Sequence, residues 1–134
     1  MMAGYLLDTN IISALARQPQ GAVFLKLQEH ADSTICTSIV VAAKIEFGLQ
    51  KGVSSKLREQ VQKIMACIQV LPLESPAHQH YGQIRSFLHS TGQIIGPNHL
   101  FIAAHARSLD LVLVSDNTRE FSRVPDLRLE NWLQ

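Results

Sequence analysis

Apolar residues along this 134-residue chain fall into two kinds of stretch. The first kind is a short unbroken run bounded by polar residues. GYLLD at 4–8 reads as a buried strand ending in an acid, and TICT at 34–37 as a second strand. Residues 69–73 are a third candidate, LVLVS at 111–115 is the clearest of all, and a short tail strand is expected near 127–129. The second kind is longer and of helical spacing. Residues 10–16 have helical character until Pro19-Gln20-Gly21 breaks them, and 22–31 predict another helix. Ser38 is placed to cap a helix through VVAAKIEFGLQ that stops near Gly52. Ser54 or Ser55 caps the next, in which Leu57, Val61, Ile64 and Met65 recur at helical intervals. Pro76 is expected at the first position of a helix that reaches about Ser90. After a break at 92–96, Pro97-Asn98 opens a short apolar helix to Ala106, and DNTREF reads as a loop or helical turn. Strands that are apolar runs rather than alternations, interleaved with helices, predict a three-layer α/β/α fold. Its sheet would be parallel, with four or five strands covered on both faces. No repeat or linker divides the chain, so 1–134 reads as one domain.

Composition narrows the class. With 46% hydrophobic and 17% charged residues the chain can build a core, which excludes intrinsic disorder. Cys36 and Cys67 are too few for a disulfide scaffold, and both are expected as buried reduced thiols. No apolar run approaches the ~20 residues of a membrane span. MMAGYLLD lacks a basic leader and meets Asp8 early, so no signal peptide and a cytoplasmic location are expected. The net charge of +1 hides an uneven distribution: residues 44–63 carry Lys44, Lys51, Lys56, Arg58 and Lys63 against only Glu46 and Glu59. Such a segment can follow a phosphate backbone or can simply be the solvated face of helices.

In open parallel sheets the functional crevice lies outside the carboxyl ends of the strands. Asp8-Thr9-Asn10 and Asp116-Asn117-Thr118 follow two expected strands, and Asn98-His99 opens a helix after a break. Either acid could be only a helix cap. Paired carboxylates at a strand-end crevice are also how Mg²⁺ or Mn²⁺ is held for phosphodiester hydrolysis.

At these residues the chain resembles PIN-domain ribonucleases of the VapC toxin type. The resemblance is carried by YLLDTNIIS at 5–13, TSIVVAAKIEFG at 37–48, HYGQIR at 80–85, IGPNHLFIAAHARS at 95–108 and LVSDNTREFSRVPDLRLENW at 113–132. It implies a toxin that is a metal-dependent endoribonuclease using Mg²⁺ or Mn²⁺. It also implies a transfer-RNA substrate, a homodimer and silencing by a VapB-type antitoxin. The family's first acid matches Asp8. Its second, a glutamate in a pattern like AAELxYG, falls on Lys44, and its third, an aspartate in GxNDxxIAAHA, falls on His99. The fourth position falls on Asp116. The resemblance thus implies a catalytic set of Asp8, Lys44, His99 and Asp116, with Asp8, Asp116 and His99 as the remaining metal ligands. Thr9, Asn10, Asn98, Asn117 and Thr118 are plausible supporting or substrate-binding groups. Glu46 cannot replace the missing glutamate, because two residues turn a helix by about 200°.

Charge sets how much the departures matter. Two carboxylates and one ammonium leave the crevice at −1, against −4 for four acids. At ~4 Å and an effective dielectric near 20, each unit pair is worth on the order of 4 kcal/mol. Lys44 could pair with Asp8 or Asp116 and take the ion's place, and imidazole is a poor ligand for Mg²⁺. The expectation is a nuclease with impaired activity. The alternative is an inactive homologue that binds antitoxin or RNA. Elsewhere, His78 and His80 are expected at the surface, His105 in core packing or a hydrogen bond, and Trp132 as a plug on the sheet. Arg85 and Arg119 are expected in salt bridges or solvent.

Overall fold

The structure is a computed structural model and describes residues 4–133. Residues 1–3, on which the reading of the N-terminus partly rests, lie outside that range. The four residues of β1 (Gly4–Leu7) are all buried, as a strand in the middle of a parallel sheet must be. It pairs in parallel with β2 (Thr34–Ser38) on one side and with β4 (Val112–Val114) on the other. The edges are β3 (Gln69–Leu71) beside β2 and β5 (Leu129–Glu130) beside β4. The order β3-β2-β1-β4-β5 makes five strands among the described residues, the upper of the two expected numbers.

The helices are α1 (Thr9–Arg17), α2 (Ala22–Glu29), α3 (Ile39–Lys51), α4 (Ser55–Cys67), α5 (Ala77–Ser90), α6 (Pro97–Ser108) and α7 (Thr118–Phe121). The chain steps outward from β1 to β2 and β3, then returns to the other side of β1 to form β4. Right-handed crossovers therefore put α1–α4 on one face and α5–α7 on the other. They also make the β1/β4 boundary the switch point where a crevice opens.

Several caps match their sequence signals. Ser38 Oγ accepts from Val40 N at 3.0 Å and Ser54 Oγ from Leu57 N at 3.2 Å. Pro97 occupies the first turn of α6, where its missing N–H leaves nothing unsatisfied. Pro76 does not enter its helix. It is the flanking residue of α5, with φ −97° and ψ 24°, and its carbonyl accepts from Gln79 and His80. The core is aliphatic, with Leu6, Leu7, Ile11, Ile12, Ile84, Ile102 and Leu113 fully buried. Trp132 closes one end against Tyr5 and stacks on His30, with ring centroids 5.4 Å apart.

Two expectations about single residues are corrected. Cys36 is buried and its thiol, pushed up to about 11 by burial, donates to the Tyr5 carbonyl. Cys67 is exposed, because it is the last residue of α4 and Ile64 and Ile68 fill the inward side. His78 lies at the surface as expected, but His80 is half-buried and accepts from Arg107 Nε at 2.8 Å. Among the described residues no helix is long and apolar enough to cross a membrane.

Candidate active site

The register of β1 and β4 fixes the site. Leu7 pairs with Val114, and the Asp8 amide donates to the Val114 carbonyl at 2.9 Å. Asp8 and Ser115 therefore leave the sheet side by side, and Asp116 follows at once. Both acids stand at the carboxyl edge of adjacent strands.

Asp8 is 3% exposed and doubly engaged. One oxygen accepts from Thr9 N at 2.8 Å, at the start of α1, and the other from Ser115 Oγ at 2.8 Å. The same serine hydroxyl accepts from the Asn117 amide at 3.0 Å. Asp116 is exposed, and Asn10 Nδ2 donates to its Oδ1 at 3.0 Å. Asp8 is thus the cap of α1 and also stands at the strand-end crevice, so capping does not remove it from that position.

His99, on the first turn of α6, lies against the Phe121 ring and 3.1 Å from Glu120 Oε1 through Nδ1. An ionised carboxylate can only accept, so Nδ1 carries the proton. Glu120 also accepts from the Gly96 amide at 2.8 Å and from Asn117 Nδ2 at 3.4 Å. The Gly96 amide is the main reason its carboxyl titrates near 2 instead of 4.5. The His99 and Asn117 bonds add to that effect, and partial burial opposes it.

Lys44, on α3, is half-buried and lines a cavity of about 150 Å³ together with Thr9, Ser13 and Arg17. It makes no ion pair within 4 Å, since the pairs among the described residues are Lys26–Glu29, His99–Glu120 and Arg128–Asp110. The pairing of Lys44 with Asp8 or Asp116 that its charge allows is therefore absent. Glu46 faces away and accepts from Gln50, as the helical turn requires. Asn98 is exposed, whereas Thr9, Asn117 and Thr118 are half-buried, and Thr9 Oγ1 is buried with no hydrogen-bond partner.

Away from the crevice, His105 is buried with Nδ1 2.8 Å from Ser38 Oγ. Burial is the main reason its pKa is lowered. Arg85 leans on Tyr81, and Arg119 is exposed.

Ser115 and Glu120 are the site residues that the sequence reading missed. Asn117 and Glu120 have the spacing of a capping box, but no such box forms: the Asn117 amide donates to Ser115 Oγ and Glu120 accepts from the distant Gly96 amide. Counting Glu120, three carboxylates and one ammonium bring the crevice to −2 at neutral pH, not −1. Among the described residues no three His, Cys, Asp or Glu side chains converge as a metal-holding group. Glu120 is committed to Gly96 and His99, which leaves Asp8 and Asp116 as the carboxylates at this edge that could hold a divalent cation together with waters.

Comparison with known proteins places this geometry. The family model described as "PIN domain" matches residues 5–127, and the chain belongs to that family. Within it the similarity is to VapC ribonucleases. Ribonuclease VapC2 of Haemophilus influenzae is 34% identical over 98% of this chain and 100% of its own length. The tRNA(fMet)-specific endonuclease VapC of Shigella flexneri is 34% identical over 98% and 99%. Among solved structures, VapBC2 from Rickettsia felis bound to a DNA fragment from their promoter superposes with a TM-score of 0.88. It shares 31% identity over 96% of this chain and 98% of that one.

Proposed function

We propose that this chain is a VapC-type ribonuclease toxin, one PIN domain throughout, whose metal site is impaired by Lys44 and His99. The observation that carries the reading is the His99–Glu120 pair. An imidazole stands at the position where the family pattern has an aspartate, and it engages Glu120, the carboxylate beside it that also accepts from the Gly96 amide. Lys44 works in the same direction, since an ammonium at the glutamate position repels a cation that the glutamate would attract. Asp8 and Asp116 remain the acids through which any residual activity would run, with Thr9, Asn10, Asn98, Asn117 and Thr118 around them. The substrate class is RNA. Transfer RNA is favoured because a full-length relative is named as a tRNA(fMet)-specific endonuclease. The partner is a VapB-type antitoxin, as in the solved VapBC complexes that this fold matches. A homodimer working in the cytoplasm completes the proposal.

The test is cleavage of a mixed transfer-RNA pool with Mg²⁺ or Mn²⁺. The unaltered chain is expected to cut weakly or not at all, and Lys44→Glu with His99→Asp is expected to restore cutting. Strong cleavage by the unaltered chain, abolished by Asp8→Ala, would overturn the impairment and leave the family reading intact. A second reading, an inactive homologue kept for binding antitoxin or RNA, is favoured by the lack of three converging metal donors among the described residues. Silence of the doubly restored chain would select it.

A further inference from the structure

A cavity of about 320 Å³ opens beside Asp116, between the outer face of α1 and the end of the chain. From α1 and its C-cap, Asn10, Ser13, Ala14, Arg17 and Gln18 line it. Their spacing of three and four residues puts them on one side of the helix, polar except at Ala14. Ile11, Ile12 and Ala16 bury the other side in the core. Leu133 completes the lining. The tail is fixed there because Trp132 is buried and the Leu133 amide donates to Asn131 Oδ1 at 2.9 Å. At the acid end, Asn10 Nδ2 donates to Asp116 Oδ1 at 3.0 Å. Arg17 stands seven residues further on, about 10 Å along the helix axis. It has no carboxylate within 4 Å among the described residues.

Amide, hydroxyl and guanidinium groups beside two small aliphatic surfaces call for a flat ligand with hydrogen-bonding atoms on its edge. An apolar side chain would leave the polar groups unpaired. A bare phosphate would engage Arg17 and leave Gln18, Ala14 and Leu133 idle. Unpaired RNA bases combine a flat face with such an edge. We propose that this cavity takes one unpaired purine base of the RNA, next to the phosphodiester at Asp8 and Asp116, and that Arg17 and Gln18 read its edge. The inference rests on the ribonuclease reading and adds which nucleotide the chain chooses. Arg17 has donors and no acceptor, so it asks for acceptors on the base. Both purines offer N7, joined by O6 in guanine, whereas cytosine presents an amino donor at its outer edge. Uracil offers a single acceptor there and a smaller face to cover Ala14 and Leu133. Gln18 carries a donor and an acceptor and so serves either purine.

The experiment incubates a pool of RNA hairpins with randomised loops with the full unaltered chain, in EDTA and monovalent salt so that binding is read without cutting. Bound and free molecules are sequenced, and chosen hairpins are titrated by fluorescence anisotropy. The unaltered chain is expected to enrich a purine at one loop position, with about a tenfold difference in Kd between purine and pyrimidine versions of one hairpin. Arg17→Lys keeps the charge and loses the planar fork, so it should keep most of the affinity and lose the purine preference. Ala14→Leu fills the cavity with a good helix former and should also remove the preference. A preference that survives both variants would overturn the proposal. So would an Arg17→Ala chain that loses affinity equally for every hairpin with a shallower salt dependence, because Arg17 would then be a phosphate contact. Binding with no base preference would overturn this inference alone. Binding to none of the hairpins would sink the RNA reading together with it.

Discussion

Glu120→Gln is the sharpest probe of how the crevice is built. The carboxylate titrates near 2 in the folded chain against 4.5 ordinarily, chiefly because the Gly96 amide donates to it. At 1.36 kcal/mol per pKa unit the ionised form would be favoured by about 3 kcal/mol. Its side chain is 30% exposed, and solvent screening brings the expected contribution down to about 1–2 kcal/mol. The sign follows from the depressed pKa. The stabilisation is complete above pH 4.5, where the unfolded carboxyl is also ionised. It declines as pH falls toward 2, because the unfolded chain takes up the proton first. Urea unfolding, followed by fluorescence of the buried Trp132, should show Glu120→Gln less stable than the unaltered chain by about 1–2 kcal/mol at pH 7. That gap should narrow steadily below pH 4.5. The same gap at pH 7 and pH 2.5, or none at pH 7, would refute the assignment of the Gly96 and His99 contacts to an ionised carboxylate.

Asp8→Ala should lose about 2 kcal/mol of stability, since it strands Thr9 N and Ser115 Oγ, while Asp8→Asn should lose less; thermal unfolding at neutral pH checks both. In thiol labelling at pH 8, Cys67 should react in the folded chain and Cys36 only on unfolding; two reactive thiols in the native state would contradict the burial of Cys36. Lys44→Glu alone should raise Mn²⁺ affinity more than His99→Asp alone, because it changes the crevice by two charge units rather than one; titration calorimetry of the single variants compares them directly.

The frame of the fold was legible in the sequence for a physical reason. Strands buried on both faces read as apolar runs, and β1, β2 and β4 were found where the runs lie. Ser38 and Ser54 sit at helix starts because their side chains satisfy free amides, a local matter that a short window of sequence contains. Asp8 and Asp116 were placed by the rule that crevices open at strand ends. What the sequence hid was long-range. Glu120 looked like part of a turn because its partner amide, Gly96, is 24 positions away. The exposure of Cys67 depends on where α4 ends, and element ends are the least visible feature of a sequence. The cavity beside Lys44 could not be read at all, since α1, α3 and α4 meet there only in the folded chain.

The account turns on whether Lys44 and His99 disable the metal site, and calorimetric titration of Mg²⁺ and Mn²⁺ at pH 7 measures that most directly. The unaltered chain, with three carboxylates and one ammonium at −2, should give little or no binding heat. Lys44→Glu with His99→Asp, at −5, should bind Mn²⁺ and Mg²⁺ at least about tenfold more tightly, an increment well within the ~4 kcal/mol available per unit pair at close range. Binding by the unaltered chain as tight as that of the doubly restored one would contradict the account.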